Sequence, residues 1–75
     1  MDVLAEPYEE ETTTDGTVQA GALEIAFKNI GTITAMVNGV SIAPGEAWNY
    51  GFVGKPYKSI NYQCNGSTLR IRYTI

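Results

Sequence analysis

Asn38-Gly39 sits between two short runs of alternating apolar and polar residues, and no other feature constrains the chain as strongly. Both central residues of a two-residue type I′ hairpin need a positive φ, which glycine tolerates freely and asparagine more readily than most side chains. Before the turn, TITAMV sets Ile33, Ala35 and Val37 on one face; after it, Val40 and Ile42 form a short return strand. Pro44-Gly45 follows at once and fits the centre of a type II turn, since proline presets a negative φ and glycine accepts a positive one. Turns this close predict a tight three-strand meander with little loop to order.

The two-residue period recurs along the chain. Leu23, Ile25 and Phe27 alternate with Glu24, Ala26 and Lys28, and Trp48, Tyr50 and Phe52 share one face of EAWNYGF. Ile60, Tyr62 and Cys64 alternate with Ser59, Asn61 and Gln63. The last run sets Leu69, Ile71, Tyr73 and Ile75 against Arg70, Arg72 and Thr74. Gly54-Lys55-Pro56 marks a loop, and Asn65-Gly66 reads as a second hairpin turn. No window carries the 3.6-residue period of a surface helix. The expected fold class is all-β: a small antiparallel β-sandwich (immunoglobulin-like) or barrel of about six short strands, with alternate residues filling a shared core.

Residues 1–17 show neither period. Pro7 interrupts any early helix, and EEETTTDGT is polar and rich in turn formers. This stretch carries Asp2, Glu6, Glu9, Glu10, Glu11 and Asp15 with no basic residue, whereas residues 18–75 carry Lys28, Lys55, Lys58, Arg70 and Arg72 against Glu24 and Glu46. The expected organisation is an acidic extended arm over residues 1–17 and a mildly basic β-sandwich domain over residues 18–75. An acidic arm suits a basic partner, including a neighbouring copy of the same body. Phosphate repels it, so nucleic acid is not an expected partner. Arg70 and Arg72 share one strand face and offer a dock for the arm; they lack the interleaved aromatics of a base-stacking platform. A solvated tail is the plain alternative.

A chain of 75 residues forms one domain. At that length apolar burial and chain entropy nearly cancel, and small domains add disulfides, metals or association. Cys64 is the only cysteine and there is no histidine, which excludes an internal disulfide and a zinc site of ordinary composition. Association is what remains. The same two facts argue against catalysis. Cys64 has no histidine to activate it and reads as a buried structural cysteine. Ser41, Ser59 and Ser67 lack a base. Glu24 and Glu46 read as strand-surface and turn residues, not as an acid–base pair. Asp15 in TTTDGT reads as a turn residue, not a calcium ligand. No catalytic residue, cofactor or metal is expected. Asn65-Gly66-Ser67 matches the glycosylation sequon and is read as a turn. No segment approaches the ~20 apolar residues of a membrane span. MDVLAEPYEEE has acidic residues where a secretory signal has basic ones, so synthesis without export is expected.

Trp48, Tyr50, Phe52 and Tyr57 crowd a domain whose core holds few rings. With Trp48 and Phe52 pointing inward, Tyr57 and Tyr8 are left for contacts, where exposed aromatics favour protein interfaces or sugar stacking. The alternative, that all of them are core or rim, stays open. The expected partner-binding set is Asp2, Glu6, Tyr8, Glu9, Glu10 and Glu11 on the arm with Tyr57, Arg70 and Arg72 on the body.

Phe27, Asn29 and Gly31, then Asn38, Gly39 and Val40, then Pro44 and Gly45 form a pattern within AFKNIGTITAMVNGVSIAPGEAW. It resembles the Phe-x-Asn-x-Gly, Asn-Gly-Val and Pro-Gly series of small β-sandwich virion structural proteins encoded by tailed bacteriophages, especially those of gut Bacteroidota. The resemblance covers roughly residues 22–75. It implies a capsid decoration protein, a head or tail fibre component or an adaptor, bound to other virion proteins such as capsid or fibre subunits. A place in the virion after synthesis in the host cytoplasm and no catalysis are implied with it; no binding residue is. A homo-oligomer is one form of the association expected above. Immunoglobulin-like repeats of bacterial surface proteins use the same turns. Two further readings therefore stand beside the first: an extracellular immunoglobulin-like adhesion or carbohydrate-binding module, and a small regulatory protein that binds a host enzyme through the acidic arm.

Overall fold

Eight β-strands and no helix make up residues 4–75, the part of the chain that the computed structural model describes. The strands are β1 (Pro7–Thr12), β2 (Gly16–Val18), β3 (Glu24–Asn29), β4 (Ala35–Val37), β5 (Val40–Ile42), β6 (Ala47–Tyr50), β7 (Ile60–Gln63) and β8 (Leu69–Thr74). They form two antiparallel sheets of four strands, in the orders β1-β8-β3-β6 and β2-β7-β4-β5. Successive strands change sheet at every connection except β4–β5.

The alternations explain which side chains meet. Ile25, Phe27, Leu69 and Ile71 from the first sheet and Val18, Ala35, Val37, Ile42, Ile60 and Tyr62 from the second are buried in one cluster, joined by Cys64 and Ala22. Phe27 and Tyr62 bring their rings to 6.1 Å across the two sheets. Apolar area withdrawn in this way, at about 25 cal/mol per Å², is the main term holding so small a fold together.

The Asn38-Gly39 hairpin forms as expected: φ is 53° and 78° at the two residues, and Val37 pairs with Val40 across the turn. Pro44-Gly45 also turns as expected, with φ of 82° at Gly45 and Glu46 N–H donating to Ala43 O at 2.9 Å. The meander does not form. Gly45 N–H donates to Asn29 O at 2.7 Å and Asn29 N–H donates to Glu46 O at 2.9 Å, so two residues oppose one. This is a G1 bulge. It hands β6 to β3 in the first sheet, while β5 stays in the second.

Asn65-Gly66 departs from expectation in the same manner. Both residues have positive φ, 52° and 90°, and Ser67 N–H closes the turn on Cys64 O at 2.8 Å. Yet β7 and β8 lie in different sheets and do not pair. Beyond the turn, Thr68 O accepts from Ile30 N–H at 3.0 Å, which draws the chain alongside β3.

The acidic segment holds two strands that its sequence does not advertise, which raises the count from about six to eight. β1 pairs with β8 in register from Pro7–Thr74 to Thr12–Leu69. As an edge strand it is exposed on both faces along nearly all its length, so glutamates replace the apolar half of the alternation. Proline opens it, a position an edge strand tolerates. β2 pairs with β7.

Candidate interaction surface

Asn29 explains why the turns hold their places. It is wholly buried, on the inward face of β3 after Ile25 and Phe27. Its Nδ2 donates to Ile33 O at 2.8 Å and Ile42 O at 2.9 Å; its Oδ1 accepts from Gly31 N–H at 3.1 Å and Ser67 Oγ at 2.6 Å. One side chain thus ties the β3–β4 loop, the end of β5 and the approach to β8. Gly31 lies so close to this knot that a Cβ there would fall 2.1 Å from Ser67 Oγ and 2.6 Å from Thr68 N. The Phe-x-Asn-x-Gly element is therefore a structural device.

Cys64 is equally enclosed. Its thiol donates to Thr12 O at 3.5 Å and Thr14 O at 3.3 Å, and its backbone N–H donates to the Asp15 carboxylate at 3.0 Å. Burial, and secondarily the Asp15 charge, push the thiol above its ordinary range, while a backbone hydrogen bond at Leu69 opposes them. The neutral thiol is the favoured form, the opposite of what a nucleophile needs.

The expected partner-binding residues do not gather in one place. Asp2 lies outside the described residues. Glu9, Glu11, Arg70 and Arg72 share the outer face of the first sheet, where Arg70 meets Glu11 at 2.8 Å and Arg72 meets Glu9 at 3.0 Å. The arm's carboxylates thus dock on the arginines of their own chain. Glu6 and Ile75 exchange backbone hydrogen bonds of 2.8 and 3.0 Å, and the Glu6 carboxylate accepts from the Tyr8 hydroxyl. That bond, more than any other cause, raises the Tyr8 phenol above its ordinary value. Tyr8 stacks on Tyr73 at 5.1 Å; Glu10 is exposed opposite Ile71.

Tyr57 belongs elsewhere. Its ring meets Tyr50 edge-on at 5.8 Å, Tyr50 meets Phe27 at 6.3 Å, and its hydroxyl donates to Gly51 O. Its backbone bonds Gly21 and Ala22. This anchoring holds the loop from Gly51 to Ser59 against the body. Trp48 and Phe52 overturn the arrangement in which they point inward: they are 45% and 60% exposed, with Val53 at 63%. Trp48 does sit opposite buried Phe27, but β6 is the outermost strand and no described strand pairs with its far side. Trp48 is exposed on the edge strand itself, and Phe52 and Val53 are exposed in the loop just beyond it. Alternation from this edge was legible; its lack of cover was not.

On the outer face, two open hollows of about 450 and 300 Å³ meet over Ala26 and Asn49 beside Arg72. Small side chains on β3 and β6 leave these depressions next to the same edge. Among the described residues, no three acidic or cysteine side chains gather in metal-binding geometry.

Fold and surface define an all-β protein of two four-stranded antiparallel sheets with exposed apolar side chains on edge strand β6 and in the loop after it. Compared with known protein families, curated proteins and solved structures, the chain matches none.

Proposed function

We propose that this protein is a non-enzymatic structural component of a bacteriophage particle, of the decoration, fibre or adaptor kind, that binds neighbouring subunits through the β6 edge and the loop beyond it. We read its two sheets as a small sandwich. Its likeness to immunoglobulin domains is one of architecture, since those keep their first two strands in one sheet and here β1 and β2 are in different ones. The observation that carries the binding role is the exposure of Trp48 on the outermost strand β6 and of Phe52 and Val53 in the loop that follows it. Contiguous exposed apolar surface marks interaction sites, and tryptophan is enriched where interfaces are strongest. The place in a virion rests on the residue pattern from Phe27 to Gly45.

The test is the protein content of purified particles from a host carrying the gene. The chain is expected in the particles, cross-linked through the loop lysines Lys55 and Lys58 to capsid or fibre subunits. Accumulation in the lysate with none in particles rules the reading out.

The same exposed rings favour one second reading, a carbohydrate-binding module. It requires Trp48 emission to shift on adding a glycan; a flat response across a broad glycan panel removes it.

A further inference from the structure

The two sheets have four edges, β1, β6, β2 and β5. An open edge offers unpaired N–H and C=O groups to any passing strand, and monomeric proteins guard theirs with charge, proline or shortness. β1 starts at Pro7 and carries Glu9, Glu10 and Glu11. β2 and β5 are three residues each. β6 is the longest of the remaining edges at four residues and has neither charge nor proline: AWNYGFV, its residues and the three that follow to Val53, contains none, and only Tyr50 in it is half-buried. The bulge at Gly45 and Glu46 lies before the strand. Hydrogen-bonded and open positions alternate along an antiparallel pair. Starting from the bonds at Asn29, Trp48 and Tyr50 turn their backbone groups to β3, and Ala47 and Asn49 turn theirs outward.

We infer that β6 is the seat of a symmetric dimer: β6 of a second copy pairs with it antiparallel about a two-fold axis at Asn49, joining two β1-β8-β3-β6 sheets into one. This deepens the function proposed above by naming an occupant for the β6 edge. Three features select a second copy. First, an axis at Asn49 pairs the outward N–H and C=O of that residue with those of its counterpart and sets Ala47 opposite Gly51 of the other copy, whose N–H is the group left to bond, since its C=O accepts from Tyr57. Second, it sets Trp48 opposite Tyr50 of the other copy at a non-hydrogen-bonded position, where side chains approach closest and aromatic pairs stabilise a sheet. Third, Glu46 precedes the strand and Lys55 and Lys58 follow it. Antiparallel pairing brings the end of β6 that follows Glu46 to the end of the other copy from which the loop bearing the lysines departs. The acidic segment of a neighbour fits less well. Its residues Pro7–Thr12 are already paired with β8, and its glutamates would meet no cation between Ala47 and Val53.

The experiment is sedimentation equilibrium of the full chain over a wide concentration range, with Trp48 emission followed in parallel. The expected result is a concentration-dependent rise to twice 8.2 kDa and a blue shift as Trp48 is covered. Asn49 is exposed and sits opposite Ala26, so its side chain tolerates change without loss of the fold, which circular dichroism checks. Asn49→Lys and Asn49→Glu each place like charges face to face at the axis and should weaken the dimer at least about tenfold. An equimolar mixture of the two variants should restore it. A wild-type monomer at every concentration overturns the inference, as does dimerisation untouched by either variant or a mixture that stays monomeric. A monomer found in virions overturns the dimer alone; a dimer absent from virions overturns the proposed function alone.

Discussion

Asn29 is the residue on which most of the fold's polar order depends. Replacing it with alanine strands the carbonyls of Ile33 and Ile42, the Gly31 N–H and the Ser67 hydroxyl. Each buried group left unpaired costs about 1–3 kcal/mol. Asn29→Ala should therefore lose about 3 kcal/mol or more, measured as a lower urea midpoint with an unchanged slope. Gly31→Ala should lose stability through a different cause, since one of the atoms in the way is the Thr68 backbone nitrogen, which cannot rotate aside. Cys64 and Tyr62 set the response to alkali. Burial is the main cause raising both above their ordinary values. A raised native value means the folded state holds its proton longer than the unfolded chain. Stability from these groups is complete below about pH 9 and declines as the pH climbs through the raised values. Thermal melts from pH 7 to 11 should show the midpoint falling only above pH 9, and less steeply in Cys64→Ala.

At the scale of elements, β1 is the strand with the least visible origin. Its two ion pairs are exposed on both partners, so each should contribute about 0.2–1 kcal/mol, and 1 M salt should barely shift the melting temperature. What β1 and the turn after it supply is cover. Thr12, Thr14 and Asp15 enclose Cys64. A chain lacking residues 1–15 should unfold at lower denaturant and expose a thiol that reacts with a disulfide reagent under native conditions, where the full chain does not. An equally stable truncated chain with a protected thiol would show that this segment covers nothing. β6 is the converse case, a strand whose alternation was plain in the sequence but whose outer flank no described strand pairs.

Across the whole molecule, the alternation between sheets makes nearly every strand pair non-local. β1 meets β8, β2 meets β7 and β3 meets β8, so the two ends of the chain must come together before either sheet is complete. Loop closure of this kind precedes the contacts that reward it, and all-β domains of such topology fold in milliseconds to seconds. Stopped-flow refolding followed by far-ultraviolet circular dichroism should give a main phase in that range; a microsecond phase would mean that local hairpins carry the fold instead.

The sequence by itself determined the strand character of the body, the conformation of all three tight turns and the burial of Ile25, Phe27, Ile42, Ile60, Leu69 and Ile71. Each of those depends on neighbours within a few residues: a two-residue period, or a glycine or asparagine able to take positive φ. Only the tertiary structure decided where the strands go after they turn. Pro44-Gly45 and Asn65-Gly66 bend the chain as their chemistry dictates, but the sheet that receives it is chosen by Asn29 and Thr68, contacts that no local pattern records. For the same reason β1 stayed hidden and the exposure of Trp48 was left open: an edge strand is defined by the neighbour it lacks on one side, and that is a property of the assembled sheet.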